Sequence, residues 1–184
     1  MPTVVPPRVC IVSTSLNTDS RSCLLARRAL EVFDQNHPDI THELIDLREI
    51  GPLPVAGSPE SYQPHARLDE VKETLAAATH ILIALPIYNF SGSASTKNLI
   101  ELMGEPHLGG KTVGFLCSAG GPRAYMGVLS LANALMLDFR CWIVPRFVYA
   151  TGADFAAGVL TSEEIGNRIE QTIADMLGHG PTLP

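Results

Sequence analysis

The sequence is poor in several signatures that would name a class of protein at once. Its four cysteines, Cys10, Cys23, Cys117 and Cys141, form no CxxC pair. A disulfide framework or a paired-cysteine zinc site is therefore not expected. Three of the four lie in or beside apolar, strand-like runs, where a reduced cysteine serves as a small core residue. No apolar run approaches the ~20 residues of a membrane span. The start, MPTVVPPRVCIV, lacks the charged beginning and long apolar core of a secretory signal. Lysine and arginine do not cluster, and the formal net charge is −6. Neither nucleic acid nor a membrane is an expected partner. The six histidines are scattered without ligand spacing, so no metal site is expected. These absences together predict a cytoplasmic protein.

Common catalytic motifs are missing too. No GxGxxG follows the first strand-like run, and no GxSxG elbow offers a serine nucleophile. The stretch EPHLGGKT (105–112) nearly matches a P-loop. Its first required glycine is Glu105, however, and it precedes a strand instead of following one. A phosphoacceptor receiver would need acidic residues after the first strand and an aspartate ending the third. Those ends are Ser13 and Pro86.

What is present is an alternation. The 184 residues, 46% of them hydrophobic, suit one domain over 1–184 with a core at about 8–178. Apolar or alternating runs at 8–13, 41–47, 80–86, 111–118 and 141–149 read as strands. Helical spacing marks 20–34, 66–78, 95–103, 122–139 and 161–177, the last opened by a capping box from Thr161 to Glu164. Five strands alternating with helices predict a parallel sheet covered on both faces. Pro145 cannot donate to a ladder, so the fifth strand should be an edge. The flavodoxin-like order 2-1-3-4-5 puts it there. Pro86 should end the third strand. The Pro- and Gly-rich stretch 51–65 is long for a plain connection; it reads either as a cap on a site or as inert surface.

In such sheets ligands bind beyond the carboxyl ends of the strands, near the switch between strands one and three. Three loops of unusual composition fall at that end. In the first, VSTSLNTDSRS (12–22), six of eleven residues carry hydroxyls. It reads either as a solvated loop with a helix cap or as a phosphate cradle at a helix N-terminus. Ser13, Ser15, Ser20 and Ser22 can supply hydrogen bonds there, and Arg21 can add charge or point to solvent. The second, PIYNFSGS (86–93), holds Tyr88 and Phe90 where a core would not demand them, with Asn89 between. Its aromatics either fold back on the core or border a flat ring. The third, SAGGPRAYMG (118–127), is either a tight turn or a place where Gly120 and Gly121 give close approach and unusual dihedrals. One phosphate cradle and two ring-sized loops at one end suit a mononucleotide with a flat, polar-edged ring, such as FMN.

These three stretches resemble the NADPH-dependent FMN reductase family of flavodoxin-like proteins. The family's first loop, G-S-x-R-x-x-S-x-S, corresponds to Thr14 through Ser22. Its P-x-Y-N-x-S followed by L-K-N-x-[IL]-[DE] corresponds to PIYNFS and then Thr96-Lys97-Asn98-Leu99-Ile100-Glu101. Its strand ending S-x-G-G corresponds to Ser118-Ala119-Gly120-Gly121. The chain departs from the pattern at Thr14 for glycine, Asn17 for a frequent arginine, and Thr96 for leucine. The resemblance implies FMN held by Ser13, Ser15, Asn17, Ser20, Arg21 and Ser22, by Pro86, Ile87, Tyr88, Asn89 and Phe90, and by Ser118, Gly120, Gly121 and Tyr125. It implies a ping-pong cycle in which NADPH or NADH gives a hydride to the flavin N5 and leaves. A small acceptor such as a quinone, free flavin, azo compound or metal oxyanion then takes the electrons. No catalytic side chain is implied. The rival class is a flavodoxin-type electron carrier, or a flavin-binding protein without NAD(P)H turnover. Helix 122–139 is apolar nearly all round, so its outer side is covered either by the C-terminal helix or by a second subunit; the family resemblance favours a homodimer or higher homo-oligomer.

Overall fold

The computed structural model describes residues 6–179. Its centre is five parallel strands: β1 (Arg8–Ser13), β2 (Thr41–Asp46), β3 (His80–Tyr88), β5 (Thr112–Ser118) and β6 (Trp142–Ala150). Their spatial order is β2-β1-β3-β5-β6, and a two-residue strand, β4 (Ser91–Gly92), pairs antiparallel with the end of β3. This is the predicted order, with the crossover switch between β1 and β3.

Successive strand residues point to opposite faces, and each face builds its own core. Val9, Ile11, Leu82, Ala84 and Leu116 meet α1 (Arg21–Asn36) and α7 (Glu163–Leu177) through Leu25, Ala29, Phe33, Ile169 and Ile173. On the other face, Cys10, Val12, Ile81, Ile83, Phe115 and Cys117 meet α3 (Ala66–Ala77), α4 (Ala94–Met103) and α6 (Leu129–Asp138) through Leu68, Val71, Leu99, Ile100 and Leu135. Burial on both faces explains why the strands read as continuous apolar runs. Two single-turn helices, α2 (Leu47–Ile50) and α5 (Glu105–Leu108), complete the connections.

Several local expectations are corrected. β3 does not end at Pro86; it runs two residues further, because the proline's missing N–H faces no ladder partner that needs it. Pro86 sits opposite Ser118, and its carbonyl accepts from Ser93 N–H at 3.1 Å. Leu47 leaves the second strand to open α2, since Asp46 caps that turn by accepting from Arg48 N–H. α7 is capped by Ser162, which accepts from Ile165 N–H, while the Thr161 hydroxyl turns back to the Asp154 carbonyl. Pro145 lies on the edge strand where the register with β5 shifts, between Ile143 and Phe147. The stretch 122–139 is not one helix: a 3₁₀ segment, Pro122–Val128, breaks from helical geometry at Ala124 before α6 begins. Its outer side is not covered by α7, which packs on the opposite face of the sheet. Tyr125, Met126, Met136 and Leu137 are left exposed.

A hairpin escaped the sequence reading. β7 (Phe155–Ala156) and β8 (Val159–Leu160) pair around Ala157 and Gly158, both at positive φ, the geometry of a type I′ turn. Two-residue strands leave too short an alternation to be recognised.

Candidate functional site

Parallel pairing aligns the carboxyl ends of the strands. Ser13 lies opposite Asp46 and Ala84, and Pro86 lies opposite Ser118, which in turn faces Ala150. The connections leaving these ends therefore meet at one rim. They enclose a cavity of about 960 Å³, at the upper end of the usual range for small-molecule sites. Ser15 through Arg21 form one wall, Pro86–Tyr88 and Ser118–Gly120 a second, and the hairpin Phe155–Gly158 a third.

The first wall is built by helix capping. Ser20 is the N-cap of α1, and its Oγ accepts from Cys23 N–H at 3.1 Å and lies 3.0 Å from Ser22 Oγ. Of the four N–H groups a helix start leaves unpaired, those of Ser20, Arg21 and Ser22 find no partner among the described residues. Ser15 Oγ accepts from Asn17 N–H, and Asn17 Oδ1 accepts from Asp19 N–H. The loop thus folds on its own side chains while keeping the Ser15 hydroxyl proton available; the Ser20 and Ser22 hydroxyls share one hydrogen bond, so one of their two protons stays available as well. Arg21 stands in the first turn of α1, where a cation opposes the helix dipole by about 0.3–1 kcal/mol. No acid shares that turn, and Arg21 makes no ion pair among the described residues.

The second wall turns sharply. Asn89 and Phe90 have φ of 50° and 62° and close a two-residue turn between Tyr88 and Ser91. Asparagine tolerates this region; phenylalanine there is strained by roughly 1–3 kcal/mol. Phe90 receives little burial in return, being 66% exposed. Gly127 makes the turn possible from behind, since a Cβ there would meet the Phe90 carbonyl at 3.0 Å and Ile87 Cγ2 at 2.9 Å. Gly120 and Gly121 do not adopt the unusual dihedrals expected of them, as neither has positive φ. A Cβ on either would meet nothing within 4 Å. Tyr149 Oη donates to the Gly121 carbonyl at 2.6 Å and fixes this turn from beneath.

The cavity thus gathers Ser15, Asn17, Ser20, Arg21, Ser22, Pro86, Ile87, Tyr88, Ser118 and Gly120 of the residues singled out in the sequence. Ser13, Asn89, Phe90, Gly121 and Tyr125 do not line it. Ser13 is fully buried and its Oγ has no partner among the described residues. Tyr125 packs edge-on against Tyr149 at 5.4 Å. No residue of 51–65 lines it either. That loop is pinned by Asn98, which accepts from Ala56 N–H at 2.8 Å and donates to the Pro54 carbonyl at 3.0 Å.

Sequence reasoning missed the part contributed by β2. Asp46, buried at the end of β2, pairs with the half-buried Arg48 of α2 beside Cys23. Burial opposes ionisation of Asp46, but the Arg48 side chain and backbone outweigh it and hold the carboxyl below its usual range. Burial, then the hydrogen bond to Asp46, pushes the Cys23 thiol up. The only hint was polar residues at the end of a strand remote in sequence from the hydroxyl loop.

Residues 7–156 match the sequence profile of the NADPH-dependent FMN reductases. The chain belongs to that family. An NAD(P)H-dependent FAD/FMN reductase of Geobacillus thermodenitrificans is 24% identical over 153 residues, covering 83% of this chain and 82% of the relative. An FMN reductase (NADPH) of Pseudomonas aeruginosa is 28% identical over 165 residues, covering 89% and 87%. Among solved structures, the apo form of an NADH:FMN oxidoreductase, EMOB, superposes with a TM-score of 0.79 at 18% identity, over 97% of this chain and 92% of that one. The flavoenzyme NAD(P)H:(acceptor) oxidoreductase FerB of Paracoccus denitrificans gives 0.73 at 20% identity, over 95% and 99%. At such identities the structures establish a shared fold. The chain's departures from the family pattern, Thr14, Asn17 and Thr96, all lie in or behind the first wall of the cavity.

Proposed function

We propose that the cavity holds FMN and that the protein passes electrons from NAD(P)H to a small acceptor in two successive half-reactions at this one site. The observation that carries the reading is the first wall: three N–H groups and an arginine without partners among the described residues line the cavity together with the Ser15 and Ser20 hydroxyls, a donor set suited to a dianion. Each hydrogen bond to a charged group contributes roughly 1.5–3 kcal/mol. A few of them outweigh both the helix dipole and the chain's net charge of −6. Bound FMN supplies the hydride-accepting and electron-donating chemistry.

The remaining work falls to the chain. Ser15, Ser20, Ser22 and Arg21 hold the phosphate, with Asn17 shaping the loop. Pro86 to Tyr88 and Ser118 to Gly120 flank the ring, and their rigid strand ends fix its orientation. The open Cβ directions of Gly120 and Gly121 leave room for a ring against the backbone. Tyr88, 53% exposed at the mouth, borders the face on which nicotinamide and acceptor take turns. Asn89, Phe90 and Tyr125 complete that mouth from outside the cavity proper. Ser13 supports the cradle from within the fold.

The exposed apolar side chains of 122–138 support a homodimer placed beside this mouth. Four free, buried cysteines suit a reducing, cytoplasmic setting. Anaerobic titration tests the function. FMN should bind with a perturbed visible spectrum, NADPH or NADH should bleach it, and a quinone should restore it. Bound flavin that neither nucleotide bleaches would assign the protein to the electron carriers instead.

A further inference from the structure

The cavity does not stop at the proposed cradle. On the β2 side of α1 it continues past Thr18 and Cys23 to Arg27 and Arg48. Arg48 is held there from two directions. Its Nε donates to both Asp46 carboxylate oxygens at 3.0 and 3.1 Å, Nη2 pairs with Asp46 and reaches Cys23, and Nη1 donates to the Thr18 carbonyl at 3.0 Å. Of its five donors, one N–H on Nη1 stays uncommitted. Arg27 is held loosely. Its nearest carboxylate is Glu49, at 3.7 Å in an exposed pair, worth roughly 0–1 kcal/mol.

The charged residues lining the cavity are Arg21, Arg27, Arg48 and Asp19. Three are cations and one an anion, while Asp46 and Glu49, which pair with Arg48 and Arg27, stand outside the lining. The cradle uses Arg21; Arg27 and Arg48 remain unexplained by it. A firmly held guanidinium and a loosely paired one on the same cavity suit a phosphate, which the planar fork of arginine recognises better than lysine does.

We propose that Arg27 and Arg48 form a second phosphate subsite, which takes the additional phosphate of a larger nucleotide whose redox-active end lies in the cavity. Two sources share that chemistry: the 2′-phosphate that separates NADPH from NADH, and the adenylate phosphate that separates FAD from FMN. The inference rests on the flavin reading above. It makes the β2 side of the site a determinant of nucleotide choice, with the Arg48 guanidinium set against the hydroxyl loop at the Thr18 carbonyl.

Calorimetric titration of the wild type and of Arg27→Gln with FMN, FAD, NADP⁺ and NAD⁺ tests it. Arg27 is exposed, so the variant leaves the core intact. Loss of about tenfold or more in NADP⁺ affinity, with NAD⁺ changed less than about twofold, assigns the 2′-phosphate. The same loss for FAD with FMN spared assigns the adenylate phosphate. Glu49→Gln should shift the same ligand the opposite way by freeing Arg27. Equal losses for FMN and FAD, or no loss for any ligand, overturn the subsite while leaving the flavin reading standing. A wild type that binds NADP⁺ more tightly than NAD⁺ through Arg27, yet binds no flavin, overturns the flavin reading alone. A wild type that binds none of the four overturns both.

Discussion

Thr14 and Thr96, 82 residues apart in the chain, share a hydrogen bond of 2.7 Å between their Oγ1 atoms, and both are fully buried. Each stands where the family pattern has another residue, glycine in the first loop and leucine ahead of Lys97-Asn98. The two departures are one feature in space. Thr14 Oγ1 also reaches the Ala84 carbonyl at 3.2 Å, Thr96 Oγ1 lies 2.8 Å from Ser93 Oγ, and Ser95 Oγ donates to the Thr14 carbonyl at 2.6 Å. A hydroxyl network thereby ties the proposed phosphate loop to the start of α4. Thr14→Val and Thr96→Val should each cost about 0.5–1.5 kcal/mol, because each removes one hydrogen bond from a buried hydroxyl that keeps its other partner, the Ala84 carbonyl for Thr14 and Ser93 Oγ for Thr96. The double variant should cost about 1 kcal/mol less than their sum, as measured by denaturant unfolding; strict additivity would show the contact to be idle.

Replacing Ser15 and Ser20 together by alanine should weaken FMN binding by about 10²–10⁴-fold, two charge-assisted bonds at roughly 1.5–3 kcal/mol each. Riboflavin, which lacks the phosphate, should bind both proteins equally. Loss of the Ser20 cap should also lower stability by about 1 kcal/mol. Fluorescence titration with the two flavins separates these effects, and unchanged FMN affinity would remove the serines from the site.

Phe90→Gly should stabilise the fold by about 1 kcal/mol. It relieves roughly 1–3 kcal/mol of backbone strain and gives back about 0.5–1 kcal/mol in chain entropy. The same change should loosen the mouth and speed flavin release. A thermal melt paired with stopped-flow dissociation checks both halves. Gly127→Ala should act oppositely on stability, since its Cβ would drive into the Phe90 carbonyl.

The Asp46–Arg48 pair should make stability depend on pH in the acid range. The folded carboxyl titrates below its unfolded value of about 3.9, so the folded state binds fewer protons than the unfolded one. The pair's contribution is complete above that value and is lost as pH falls through the lower, folded pKa. Asp46→Asn should remove this part of the acid dependence, and unfolding midpoints from about pH 5 down to about pH 2 measure it.

All four thiols should resist alkylation in the native protein at pH 8 and react on unfolding. Burial pushes Cys117 up to about 12 and Cys141 up to about 11. It raises Cys10 still further, and Cys23 is raised by burial and by its bond to Asp46. Any thiol labelled quickly in the folded state would mark a local opening at that strand or cap.

The amino-acid sequence by itself determined the layered fold, the strand order and the rim at which the cavity lies. Strands buried on both faces must be continuous apolar runs, and a parallel sheet brings the loops after β1, β3 and β5 to one end whatever their details. Composition then marked those loops through Ser15, Ser20, Tyr88 and Gly120. Only the tertiary structure decided what approaches them from elsewhere in the chain. Arg48 reaches the hydroxyl loop from α2, Gly127 supports the strained turn at Phe90, Thr96 grips Thr14, and the hairpin at Ala157 closes the third wall. These are contacts between segments tens of residues apart, or elements only two residues long. Neither leaves a periodicity along the chain, because side-chain patterning records which face of an element is buried and not which distant side chain buries it.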